Sequence, residues 1–287
     1  IPKFMKHKKS DRELTYQLLH APNVNDRVWA AEEMGKKKTG NKNIKALFHS
    51  MKSDEFWGVR KEAAAALSRL KVRGKELKLI NTYQNEQDER VKSEIINLFR
   101  GAKGKSAPEF LRDIILYEPN DYLVRSAVNS LAKINEDSLL KYMDFILGRE
   151  SHNDIVRNSG IGKLSVIDPD SHYHQLLDLA SYGGTSWSSR TTAVRGLEKY
   201  IKDHPETLEN MIHFLEDPNY RVRWTAINIL CKYGGEDHLT KMIEITTDDF
   251  LGSMQFSSGK NHLKTRMEKR NAFPGALKIS KKKLSDI

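Results

Sequence analysis

Seven basic residues, Arg27, Arg60, Lys92, Arg125, Arg157, Arg190 and Arg223, recur along this 287-residue chain at separations of 33, 32, 33, 32, 33 and 33. Each opens the same phrase: a small or apolar residue three positions on, and a larger apolar residue near the seventh. Residues 59–67, VRKEAAAAL, spell it most clearly, with Arg60, Ala63 and Leu67. Arg27 with Ala30 and Met34, Lys92 with Ile95 and Phe99, Arg157 with Gly160 and Leu164, Arg190 with Ala193 and Leu197, and Arg223 with Ala226 and Leu230 repeat it. Arg125 with Val128 and Leu131 is a looser copy. So even a period marks an internal repeat. A unit this short cannot bury its apolar face alone, so it must stack on its neighbours.

Each unit carries two helical patterns. The phrase opens the second, with apolar or small residues along one face. First helices precede it, as in NIKALFHSMK (43–52), APEFLRDIILY (107–117), SLLKYMDFILGR (138–149), SHYHQLLDLASYG (171–183) and ETLENMIHFLED (206–217). Turn and cap residues, such as Asp54, Asn120-Asp121, Asn153-Asp154 and Asp217-Pro218-Asn219, separate them. No strand pattern stands out. The expected fold is all-α, a right-handed α-solenoid of about eight helix hairpins with a period of 32–33 residues. The eighth unit, 238–256, is degraded and places Gln255 where the ladder asks for arginine. Residues 1–12 read as a basic linker, 13–256 as the solenoid and 257–287 as a basic C-terminal segment.

The formal charge of +10 lies at the ends. Residues 1–9 hold four lysines and no acid, and residues 260–287 hold nine Lys/Arg against Glu268 and Asp286. The body between them is nearly neutral, which disfavours nucleic acid as a partner, since such binders carry a basic stripe on the folded surface. No apolar run is long enough to span a bilayer, and no secretory signal is visible, so no membrane partner is expected. A single cysteine, Cys231, excludes an internal disulfide and fits a reducing, cytoplasmic setting. The start at Ile1 leads us to expect a piece of a longer chain.

The ladder of Arg27, Arg60, Lys92, Arg125, Arg157, Arg190 and Arg223 has two readings. It is an anion-binding stripe, or each member bridges to a carboxylate or carbonyl of an adjacent turn. The second is favoured, because Asp54, Glu86 and Asp217 each stand six residues before a ladder residue and arginine suits fixed pairing. Three residues before the ladder stand Trp57, Tyr122, Trp187 and Tyr220, expected as plugs between layers. Trp29 and Trp224 fall at other phases and are candidate surface contacts.

No catalytic, cofactor-binding or metal residue is assigned. H-E-x-x-H, G-x-S-x-G, P-loop and dinucleotide patterns are absent. His172 and His174 beside Asp168 and Asp170 lack helical ligand spacing and a third ligand. Gly183-Gly184 reads as a helix end, and Cys231 as a core thiol.

The phrase V-R-x-x-A-x-x-x-L resembles that of HEAT repeats. Residues 13–36, 149–164 and 217–230, and above all the corner DEFWGVRKEA (54–63), are similar to the C-terminal helical-repeat region of alanyl-aminopeptidase-type zinc peptidases, over about residues 12–250. In that family a thermolysin-like domain carries the zinc ligands and the chemistry. The resemblance therefore implies a non-catalytic domain that packs on a catalytic domain of the same parent protein and limits peptide access. Its contact with peptide substrates is indirect, and zinc is expected only in the missing domain. Whether the parent is an enzyme stays open. The alternatives are a stand-alone scaffold binding another protein in its groove, and a nucleic-acid binder using its basic tails.

Overall fold

A computed structural model of the chain describes residues 9–36, 40–167 and 169–250, and no strand occurs among them. Helix hairpins follow one another. They are α1 (Asp11–His20) with α2 (Val24–Lys36), α3 (Asn41–Ser53) with α4 (Trp57–Arg69), α5 (Glu76–Asn85) with α6 (Glu89–Leu98), and α7 (Ser106–Tyr117) with α8 (Asp121–Ile134). The fifth pairs α9 (Glu136–Leu140) and α10 (Met143–Gly148) with α11 (Ile155–Leu164). Then come α12 (Pro169–Ala180) with α13 (Trp187–Leu197), α14 (Thr207–His213) with α15 (Tyr220–Tyr233), and α16 (Glu236–Phe250), which opens an eighth. This is the α-solenoid architecture. Gln255 and the basic segments 1–8 and 257–287 lie outside the described residues. Contacts divide the chain into two compact units, residues 1–159 and 160–287.

Local chemistry sets the helix starts. Ser10 and Glu13 form a reciprocal capping box, so α1 begins at Asp11, two residues before the boundary expected at 13. Asp88, Asn120, Ser186 and Asn219 cap α6, α8, α13 and α15 by accepting from the following amides. The third-and-seventh-position residues form the core: Ala30, Met34, Ala63, Leu67, Ile95, Phe99, Ala193, Leu197, Ala226 and Leu230 are all fully buried.

Small residues bring second helices together in both units. A Cβ added to Gly35 of α2 would lie 2.8 Å from the Ala66 Cα of α4. In the second unit a Cβ on Gly196 of α13 would lie 2.9 Å from the Ser165 Cβ.

The first helix expected over 138–149 is broken. Asn135 both ends α8 and caps α9, leaving no room for a longer connection. A tight turn from Leu139 to Tyr142 then resets the phase, so that Leu139, Met143 and Ile146 all face inward. The turn before α11 is also unusual, with both Asn153 and Asp154 at φ of 52° and 53°. That region suits glycine, and Asn and Asp are the side chains that best tolerate it.

Candidate functional site

The basic ladder is a set of junctions between hairpins. Arg27 forks onto Asp54, with Nε 2.8 Å from Oδ2 and Nη2 3.1 Å from Oδ1. Arg60 forks onto Glu86 at 2.8 and 2.9 Å, and Arg190 onto Asp217 at 2.6 and 3.0 Å. Each acid thus pairs with the arginine of the preceding unit. Its own unit's arginine uses the backbone instead: Arg60 Nη1 donates to the carbonyls of Asp54 and Glu55, and Arg223 Nη1 to those of Asp217 and Pro218. Arg27 does the same at Ala21 and Pro22.

Each carboxylate also organises the turn it sits in. Asp54 accepts from the Phe56 amide, Glu86 from those of Gln87 and Asp88, and Asp217 from that of Asn219. Burial pushes the Glu86 carboxyl up, but the Arg60 fork and the two amides outweigh it and hold the group below the usual carboxylate range. The same fork raises Arg60 above the ordinary guanidinium value.

Three ladder positions depart from this pattern. At the fourth, the buried Ala127 and Leu131 belong to a phrase opened by Val124, which is itself fully buried. Arg125 stands one residue out of register, exposed, over the ring of Tyr122 at 5.4 Å. Arg149 takes the vacant role: its guanidinium reaches the carbonyls of Glu118 and Pro119, six and five residues before Val124, and the Asp121 carboxylate. At the third position Lys92 lies over the ring of Tyr83, 5.1 Å away, while the Tyr83 hydroxyl donates to Glu118 at 2.9 Å. Burial foremost, then Glu118, raises the Tyr83 phenol. Arg157 bonds within its own hairpin, to the Leu147 carbonyl and Asp154.

The corner aromatics are surface groups, not plugs. They begin the second helices, where the chain emerges from the turn. Trp57 is half-buried with the Arg90 guanidinium 3.3 Å above its ring. Tyr122, Trp187 and Tyr220 are exposed, and Arg221 lies over both Trp187 and Tyr220 at 4.6 and 5.7 Å. The Phe56 ring folds over Gly58, 2.5 Å from where a Cβ would stand, so a side chain there would displace the ring. Trp29 is exposed, with the Lys9 ammonium 5.2 Å from its ring, whereas Trp224 is half-buried. Sequence reasoning missed Arg90, Arg149 and Arg221, and only the one-residue offset of Arg90 and Arg221 from the aromatic phase could have flagged the first and last.

Among the described residues no group of three His, Cys, Asp or Glu side chains is placed to hold a metal ion. His174 sets its ring edge-on to Tyr173, which stacks on His204 at 4.2 Å. Asp168 and the Asp170 side chain lie outside the described residues. Cys231 is buried. An open groove of about 620 Å³ beside α1 is lined by Lys9, Arg12, Glu13, Tyr16, His20 and Asp26. No described helix is long and apolar enough to cross a membrane.

Residues 175–252 match the family model for HEAT repeats. No curated protein sequence matches the chain. Among solved structures it is similar to the complex of CpcE and CpcF of phycocyanin lyase from Nostoc sp. PCC7120, at 15% identity and a TM-score of 0.50, covering 86% of this chain and 96% of that one. A homology model of the full-length AP-3 complex in an intermediate open conformation gives 16% and 0.52 over 91% of this chain and 55% of that one. Kap121p bound to Nup53p gives 11% and 0.51 over 82% and 29%. Identities this low speak for the fold alone, and none of these comparisons points to an aminopeptidase. Residues 175–252 carry the HEAT repeat, and over most of its length the chain shares the helical-repeat fold of these structures.

Proposed function

We propose that the chain is a non-catalytic scaffold that holds a protein partner on the faces of its second helices. The observation that carries this reading is the recurrence of aromatic–arginine pairs at the starts of those helices: the half-buried Trp57 with Arg90, and the exposed Tyr122 with Arg125 and Trp187 with Arg221. Aromatic and arginine side chains are the groups from which protein-interface hot spots are built. The ladder, Arg125 apart, is engaged internally, whereas Arg90, Arg125 and Arg221 are exposed. The similar structures, by their names, are a CpcE–CpcF complex and Kap121p bound to Nup53p, which supports a role in assembly. The test is to recover a partner on the immobilised chain, reconstitute it from purified components, and compare Trp57→Ala with Trp187→Ala. Affinity should fall about tenfold or more in at least one. Unchanged affinity in both, or cleavage of aminoacyl reporters by the purified chain supplied with zinc, would sink the proposal.

A finer version makes this scaffold the helical domain of an aminopeptidase-type zinc peptidase, packed on its catalytic domain. It rests on the wording of residues 54–63, DEFWGVRKEA. The described residues offer no zinc site, so zinc would belong to the other domain. A gene whose coding sequence upstream of Ile1 lacks H-E-x-x-H would remove this version and leave the scaffold. The lone, buried Cys231 supports a cytoplasmic setting, which cell fractionation would check.

A further inference from the structure

The second helices of the two units carry different charge on the same set of positions. In α13 and its following turn, the outward residues two before and two, five and nine after the ladder position are Ser188, Thr192, Arg195 and Lys199. In α15, which packs beside α13, they are Arg221, Thr225, Asn228 and Lys232. These two stripes hold four exposed cations and no acid. Glu198, beside these stripes, accepts from Lys232 at 2.7 Å and from the Tyr233 hydroxyl at 3.1 Å, and its charge also meets that of Arg195. Asp217 is buried under Arg190 and offers the face no charge. In the first unit the same positions of α2, α4 and α6 carry both signs. Glu32 pairs with Lys36 at 2.7 Å, Glu62 with Arg69, and α6 sets Arg90 against Glu94. A near-neutral body therefore hides a basic face in one unit.

We infer that the α13–α15 face binds an acidic, extended protein segment. The inference rests on the scaffold reading and names the chemistry of the partner. Arg195, Lys199 and Arg221 are exposed, and the stripes run side by side, so carboxylates spaced along an extended chain can meet successive cations. Thr192 and Thr225 donate to carbonyls of their own helices, which leaves their hydroxyl oxygens as acceptors for a passing amide. A protein segment fits better than a nucleic acid. The rings of Trp187 and Tyr220 are covered by Arg221 rather than bare for base stacking, and the cations are confined to two helices instead of forming a long track. The chain's own residues 257–287 carry the wrong sign to occupy this face.

The experiment uses the full chain and a fluorescein-labelled peptide of alternating Glu and Ser, beside its Gln/Ser counterpart and a labelled thymidine oligonucleotide. The acidic peptide should bind, weaken with added salt, and lose about tenfold or more in affinity in the double variant Arg195→Glu, Lys199→Glu. Lys133→Glu, in the first unit, should change nothing. Should the double variant melt early, Arg195→Gln, Lys199→Gln takes its place with the same direction of effect. No binding of the acidic peptide, or binding indifferent to the reversal, overturns the inference. Tighter binding of the oligonucleotide, lost on the same reversal, overturns it in favour of nucleic acid. A reconstituted partner that binds the double variant as well as wild type sinks this inference and leaves the scaffold. Peptide capture without any protein partner does the reverse.

Discussion

The Arg190–Asp217 junction and the junction at Val124 occupy the same place in the repeat but are built differently. At the first, one arginine forks onto the next unit's acid and is 5% exposed. At the second, the ladder position is apolar, and Arg149 reaches back from the following hairpin to cap the carbonyls that an arginine at 124 would have capped. What persists across the two is the demand of the turn, not the residue that meets it. Two backbone carbonyls need a donor. A guanidinium from either side supplies it.

The comparison can be broken most forcefully at Arg190. Arg190→Ala leaves Asp217 buried and unpaired, and unfolding should lose about 3–5 kcal/mol by denaturant titration. A loss under about 1 kcal/mol would mean the junction is ornamental. Next, Leu67→Ala and Leu131→Ala remove fully buried side chains, one behind a regular rung and one behind Val124. Both should cost about 2–5 kcal/mol. A large difference between them would show that the rung, and not only the layer, decides the packing. Arg149→Ala should cost about 1–3 kcal/mol by leaving its carbonyls uncapped, whereas Arg125→Ala, one residue out of register, should stay within about 0.5 kcal/mol.

The effect of acid sharpens the regular side of the comparison. The Glu86 carboxyl is depressed in the folded state, so its contribution is present above the ordinary value of 4.5 and is lost as pH falls through the lower folded value. Urea titrations from neutral pH downward should show stability falling below about 4.5, and Glu86→Gln should flatten that fall while lowering stability at neutral pH. An unchanged slope in Glu86→Gln would remove Glu86 from the acid response.

Much of the fold was legible because the repeat is local. Ala63 and Leu67 follow Arg60 on one helix face whatever surrounds them, and Asp88 or Asn120 announces a helix start by its own side chain. The register at Arg125 misled because a basic residue one position from the ladder looks like a member of it. Only the burial of Val124 and Ala127 separates the two phases. The acids at 54, 86 and 217 were visible, but their partners lie 26 or 27 residues upstream, a distance bridged by stacking alone. Glu118 stands 26 residues after Lys92, yet Tyr83 takes it, since a lysine lacks the planar fork that would compete.

The corner DEFWGVR shows the same division. Its period follows from the chain itself. That Trp57 lies at the surface beneath Arg90 does not, because Arg90 arrives from the next hairpin. The sequence by itself determined the unit, its period, its buried face and the near-neutrality of the body, since these depend on residue spacing and composition. Only the tertiary structure decided which arginine meets which acid, that Arg149 replaces a missing rung, and that cations gather on α13 and α15 while acids balance them on α2 and α4. Side chains a full repeat apart become neighbours only when hairpins stack, and a net charge has no address until they do.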